Sequence, residues 1–431
     1  MSAVSVWPRR QWLSALGLLI LAQSLGLLLR LQFVKPLAGV NYGFFLHAHS
    51  HVALLGWLHA LLIMALPRAF LPPGHSFKSY DILFWLSQLT VVGMLLSFPV
   101  QGYAAVSITF STLSLFCLYA FVWRLLRDLR GQRSNAHRVL RWALWLAVIS
   151  SLGPWSLGPI MALKLNHSPV YYLAIYFYLH FQYNAWFWLG ILALVMRWLQ
   201  AQGLGEDRQS QRAASALCWS SLFTLALSAL WLNPPLWVWL LGGLGALLQG
   251  LGLSWALAVA WDLRRQLSHW LQSSAQSFWL RALLGLSALS LILKVLLQAL
   301  TALPYFASLA AEQRPLIIVY LHLVLLGLLS SFWLACLLPQ PALRHASRRR
   351  QWALNLALTA FGLGFAGSEA LLLYQGLSFG FAQPLFAGFF VALLGCSALM
   401  PLGLTGLWLL SASGPSASTG SAADQEALSA A

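Results

Sequence analysis

Runs of about twenty apolar residues, the length that a helix needs to cross a bilayer, recur twelve times along the chain. They fall near 11–33, 43–67, 80–101, 103–126, 139–164 and 169–198, and again near 213–232, 235–261, 279–303, 315–338, 351–375 and 383–411. Short stretches that gather nearly all the charge separate them. This pattern predicts an all-α polytopic membrane protein: one twelve-helix membrane domain over 1–411 and a Ser-, Ala- and Gly-rich tail over 412–431 that is expected to be disordered. Arg9 and Arg10 ahead of an apolar run look like a signal peptide, but the run from Gln11 to Phe33 can span a bilayer and shows no clear small-residue cleavage site, so it is read as a retained first helix.

Composition supports the membrane reading. Of 431 residues 60% are hydrophobic and 8% charged, where a soluble domain carries about a quarter charged residues. The net charge of +16 would suggest nucleic acid in a soluble chain. Placed on the predicted topology, however, twenty of the 25 cations fall in cytoplasmic loops or at cytoplasmic helix ends, and Arg30, Lys35, Lys164 and Arg314 fall outside. Lys and Arg in short loops stay inside, so the excess positions both termini in the cytoplasm and leaves no need for nucleic acid. The expected location is an inner (plasma) membrane, crossed many times. Cys117, Cys218, Cys336 and Cys396 lie singly in apolar spans and read as structural thiols. Gly242, Gly243, Gly245, Gly250 and Gly252 crowd the eighth span, where small residues let helices approach closely.

The polar residues inside the spans carry the candidate chemistry. An ionisable side chain at membrane depth is costly and usually faces a site, yet the second span, NYGFFLHAHSHVALLGWLHALLIMAL, holds His47, His49, His51 and His59. At about 100° per residue, His47 and His51 share a face and His49 points nearly the opposite way, so one helix can offer imidazole to two neighbours. His180 in the sixth span and His322 in the tenth fall in the same layer, roughly 5 to 15 Å below the outer helix ends. Neutral imidazoles from three helices suit a transmembrane haem, with His49, His51 and His322 as candidate haem ligands and His51 with His322 as one axial pair. Arg30, Lys35 and Arg314 are the cations available to haem propionates. His47, His51, His180 and His322 are the candidate ligands for copper or non-haem iron. Lys294 and Glu369, inside the ninth and eleventh spans, reach about the same level and read as an ion pair, a proton relay or part of a quinol site. Asn184 follows Tyr176 and His180 at i, i+4 spacing on one face. Lys294, Glu369 and Asn184 are the candidate catalytic residues.

HAHSHVALLGW on helix two, YLHFQYNAWFWLG on helix six and YLHLVLLG on helix ten together resemble subunit I of the haem-copper oxidase and nitric-oxide reductase superfamily, and within it a divergent oxidase-subunit-I-like group of unassigned role. The stretch LKVLLQALTALPYFASLAAEQRPLIIVYLHL is similar to that group too, and H-A-H-x-x-x-x-G is reminiscent of twelve-helix haem and copper proteins of the nitric-oxide stress response. The resemblance implies a twelve-helix bundle with both termini inside, haem ligands on helices two and ten and a second-metal ligand on helix six. It also implies a quinol or cytochrome c donor, a small gas ligand and other membrane subunits as partners. Two departures stand out: ALCWSSLFTLALSAL of helix seven lacks the adjacent histidines of the family, and helix ten has His322 alone. The expectation is one b-type haem, used for electron transfer or for binding or reducing O2 or NO, with an incomplete second-metal site. A metal-ion or proton-coupled transporter using the same histidines is the second reading, and a scaffold subunit that has kept the fold without the cofactor is the third.

Overall fold

A computed structural model of the protein describes residues 7–166, 168–272, 277–344 and 347–414. Residues 415–431 of the expected tail lie outside the described residues. Among the described residues the chain is all helical, and eleven helices are long and apolar enough to cross a membrane. In chain order the long helices are α1 (Arg9–Leu31), α2 (Tyr42–Phe70), α3 (Lys78–Gln101), α4 (Ala105–Asp128) and α5 (Asn135–Ala162). A helical run over 169–201, α6, follows. The remainder are α7 (Arg208–Leu232), α8 (Leu236–Asp262), α9 (Phe278–Leu300), α10 (Arg314–Leu337), α11 (Arg348–Gly380) and α12 (Phe389–Ala412). α6 is the one predicted span not among the eleven, because its tyrosines, Gln182 and Asn184 lower its hydropathy.

The boundaries follow local chemistry. Asn41 caps α2 by accepting the Phe44 N–H at 3.2 Å, and Asp207 caps α7 by accepting those of Gln209 and Ser210. The last helix starts at Phe389 and not near 383, since Pro384 interrupts the run and Gly388 takes a left-handed φ of +82° that a side chain would resist. Two short helices, Arg264–Gln272 and Pro304–Glu312, fill connections that the apolar pattern alone had left as loops.

Of α2's most apolar window, 83% is buried, against 28% for α4, so α2 is central and α4 peripheral. α1 packs on both α2 and α12, joining the first crossing to the last. α2, α6 and α10 meet in the middle. The Trp57 indole donates to the Ser330 hydroxyl at 2.9 Å, tying α2 to α10, and the Trp186 indole donates to His59 Nδ1 at 2.9 Å, tying α2 to α6. Tyr183 and Tyr320 pack edge to face at 6.0 Å between α6 and α10. Lipid tails are as apolar as leucine, so such packing and inter-helix hydrogen bonds, about 0.6 to 2 kcal/mol each, hold a membrane bundle together.

Candidate functional site

Each of the three central helices changes winding beside a histidine. α2 loosens into a π-helix over Val52–His59, directly after His51. In α10 the same happens over Leu323–Ser330, directly after His322, and in α6 over Gln182–Phe187, two residues after His180. π segments are rare and gather at functional sites. Here they also divide each helix. Nearly all of Val52–His59 is buried, whereas in Tyr42–His51 only Ala48 is, and in Arg314–His322 no residue is. The outer half of α2 rests on α1 and α3, that of α10 on α11, and that of α6 on α5 and α7. The inner halves, with Trp57, Trp186 and Trp333, are therefore tightly buried, while the outer halves, with His47, His49, His51 and His322, are partly exposed.

The four histidines of α2 separate as their angular spacing requires. His49 turns to α1, where Nδ1–H donates to the Ala22 carbonyl at 2.7 Å. It fits because residue 26 is glycine: a Cβ there would meet the ring at 2.9 Å. From this place His49 lies within electrostatic reach of His322 and Arg30. His47 and His51 turn instead to α3. The His47 ring lies 4.5 Å from Tyr103 and the His51 ring 4.6 Å from Phe98. His51 Nδ1–H donates to the His47 carbonyl at 2.9 Å, and the Tyr103 hydroxyl approaches His51 Nε2 at 3.4 Å. His59 belongs to the tight half, as the acceptor for Trp186.

On α10, His322 Nδ1 lies 3.2 Å from Glu369 Oε1 of α11, both side chains being partly exposed. Glu369 also attracts Arg30, whose NH1 is buried without a hydrogen-bond partner, as is Glu369 Oε2. His49, His322, Glu369 and Arg30 thus form one group. In both histidines an acceptor fixes Nδ1 as the protonated nitrogen and leaves the Nε2 lone pair unclaimed. A carbonyl or carboxylate behind the ring is what orients metal-ligating imidazole.

Several expected arrangements are replaced. His51 is not set to pair with His322; its ring is turned to Phe98 and Tyr103, and His49, seated on α1, is the histidine of α2 within electrostatic reach of His322. Lys294 and Glu369 do not form an ion pair: Glu369 takes His322, while Lys294 is fully buried with an unpartnered ammonium. His180 spends both ring nitrogens, Nε2–H donating to the Ser221 carbonyl at 2.8 Å and Nδ1 accepting from Asn184 at 3.1 Å. The i, i+4 relation of His180 and Asn184 is therefore realised, with a structural result. His47, His51, His180 and His322 are not brought together. Among the described residues no three His, Cys, Asp or Glu side chains converge as a metal site. Arg314 is exposed at the start of α10, its charge reaching Tyr176. Ala22, Gly26, Phe98, Tyr103 and Tyr320 are site residues that the sequence did not single out. Gly26 was the readable signal, a small residue in an apolar span near the level of the histidines.

No family model and no curated protein matches this chain.

Proposed function

We propose that the chain is an integral membrane haem-binding protein with the architecture of oxidase subunit I. In this reading α6 is the twelfth crossing, both termini are cytoplasmic and the membrane is an inner (plasma) membrane. The haem is a b-type group between α2 and α10, held by His49 and His322. The observation that carries the proposal is the shared state of these two imidazoles, which lie within electrostatic reach of one another, each with Nδ1 on an acceptor and no hydrogen bond at Nε2. The residues fit the group: the unpartnered Arg30 guanidinium suits a propionate, and the missing Cβ of Gly26 gives the His49 ring its place.

Held by His49 and His322, such a haem would supply one-electron transfer. The chain's own residues do the rest. Ala22 and Glu369 hold the two rings in one tautomer and orientation, and the partial negative charge of one and full charge of the other raise ligand basicity. Trp57, Trp186 and Trp333 close the inner side to water. Electron transfer, with a quinol or cytochrome c as donor, follows from this pairing more directly than O2 or NO reduction, because among the described residues no three His, Cys, Asp or Glu side chains converge as a second metal site.

The test is an absorbance spectrum of the purified full chain, oxidised and dithionite-reduced, with and without carbon monoxide. A sharp reduced spectrum unmoved by carbon monoxide and lost in both His49→Ala and His322→Ala is expected. A haem-replete preparation without a Soret band, or one that keeps its spectrum in both variants, refutes the assignment. Metal uptake into vesicles without an optical change would instead favour a transporter.

A further inference from the structure

The connection between α8 and α9 carries chemistry that the haem does not use. α8 ends at Asp262, and Leu263, with a ψ of 2°, leaves helical geometry before the short helix Arg264–Gln272 begins. In sequence, apolar residues recur there at i, i+4, i+7 and i+8, as Leu263, Leu267, Trp270 and Leu271. At about 100° per residue these positions fall within about 100° of arc, and Arg264, Arg265, Ser268 and His269 fall on the opposite side. The structure keeps that division. Leu263 and Leu267 are half-buried, whereas the four polar residues are exposed and together line one open pocket. The helix packs on α8 and α9, its neighbours in the chain.

Aromatic residues at both ends give its depth. Trp261, at the end of α8, is 67% exposed, and Phe278, at the start of α9, is 66% exposed. Both helices are long and apolar enough to cross a membrane, and tryptophan exposed at the end of a crossing sits at the level of the headgroups. The short helix between them is thereby brought to the membrane surface. An amphipathic helix in that place buries its apolar face at the acyl boundary and turns its cations to the headgroups. The charge here is of one sign, since no Asp or Glu occurs between Leu263 and Ala311. Neither Arg264 nor Arg265 makes an ion pair among the described residues. The Arg264 guanidinium lies 4.4 Å from the centre of the Trp261 ring and donates to the Trp261 carbonyl at 2.6 Å, so it is held at the depth of the indole.

We propose that the face formed by Arg264, Arg265, Ser268 and His269 binds the phosphodiester of an anionic phospholipid such as phosphatidylglycerol. The two guanidiniums donate to phosphate oxygens, for which their planar forks are suited. Leu263 and Leu267 rest at the acyl boundary. A free phosphate would meet the same cations, but the exposed aromatics at either end place those cations among lipid headgroups. The site uses the α8–α9 connection and none of the residues assigned to the haem, so it stands or falls separately.

The experiment is amide hydrogen exchange of the full chain in nanodiscs of phosphatidylcholine, with and without phosphatidylglycerol. Exchange over 264–272 is normalised to the connection 202–207, which the paired crossings α7 and α8 put on the same side of the bundle. Phosphatidylglycerol should slow exchange over 264–272 by about fivefold for each arginine engaged, and raised salt should reverse the slowing. The double variant Arg264→Gln, Arg265→Gln replaces two exposed side chains and should exchange equally in both discs, as should Arg265→Glu within a few-fold. Equal exchange of the wild type in both discs, or a double variant slowed as the wild type is, overturns the proposal. So does the same slowing by inorganic phosphate in discs of phosphatidylcholine alone, which would make the ligand a free phosphate.

Discussion

Substituting Gly26 by alanine separates haem affinity from fold stability, two quantities that most core mutations move together. The added Cβ would stand 2.9 Å from His49 Cε1 and 3.2 Å from Nδ1. Since the ring is the far end of a side chain, it can give way by about half an ångström, a small displacement for a core that otherwise transmits strain. That movement draws Nδ1 off the Ala22 carbonyl, now 2.7 Å away, and a lost hydrogen bond of this kind costs about 1 kcal/mol. Alanine repays about as much, because glycine in a helix interior is worse by about 0.8 to 1 kcal/mol. The unfolding midpoint should therefore barely change. Haem affinity should fall by about 10- to 100-fold, the usual consequence of removing the group that orients a metal-ligating histidine. Haem titration followed at the Soret band, with tryptophan-monitored melting of the same samples, measures both. Unchanged affinity and spectrum in Gly26→Ala would refute the placement of His49 as an iron ligand.

Other perturbations test neighbouring parts of the argument. Glu369→Gln keeps the shape but removes the charge behind His322, so haem should bind about 10- to 100-fold more weakly by the same titration, with His51→Ala as a control of little effect. Ser330→Ala strips the acceptor from the buried Trp57 indole and should cost about 1 to 2 kcal/mol in melting without changing the haem spectrum. Gly327→Ala drives a Cβ to 2.5 Å from Ser290 Oγ and 2.8 Å from Phe365, and overpacking of this sort costs about 1 to 3 kcal/mol. Asp207→Ala removes the α7 cap, worth about 1 kcal/mol in melting. Partial burial pushes the Asp207 carboxyl upward, but hydrogen bonds from the Ser210 N–H and hydroxyl and the Gln209 N–H outweigh it and hold the group below the usual range. That contribution is present above the unfolded value near 3.9 and is lost as pH falls through the lower folded value, so Asp207→Ala and wild type should draw together in melting as the pH is lowered through the acid range.

The crossings were legible because hydropathy and charge placement are properties of single segments. So was the split of α2: the near-opposite bearings of His49 and His51 required different neighbours, and Ala22 and Tyr103 are those neighbours. What hydropathy could not state was which neighbour lay on which side. Depth alone therefore pairs His51 with His322, whereas the His51 ring lies on Phe98 and Tyr103 and His49 is the one within electrostatic reach of His322. Lys294 and Glu369 share a depth, and depth alone suggested an ion pair, but bearing around the bundle decides it and gives Glu369 to His322. His180 looks like a metal ligand in the sequence because its second partner, the acceptor for Nε2–H, is the backbone carbonyl of Ser221, which no side-chain pattern announces. The π segments left no readable trace, since Leu323–Ser330 and Val52–His59 are as uniformly apolar as an α-helical stretch would be.

The π segments also explain how one bundle can be tightly buried in its inner halves and partly exposed in its outer ones. A π turn carries an extra residue, which rotates the side chains beyond it relative to those before it. On α2 the rotation falls between His51 and Trp57, so histidines and tryptophan need not share the bearing that a regular helix would impose. The tryptophans are thereby free to lock α2 to α6 and α10 at Ser330 and His59, while His49 and His322 keep bearings of their own toward Ala22 and Glu369. Turning the outer half of α2 without touching either imidazole is the sharpest check of this division. Deleting Ser50, which lies in the α-helical stretch ahead of the π segment, should preserve membrane insertion but turn the outer half of α2 by about 100° relative to Trp57. Haem binding should then be lost while His49, Ala22 and Gly26 all remain in the chain. A deletion protein that inserts and still gives the wild-type spectrum would show that the bearing of His49 is not set by the winding of α2.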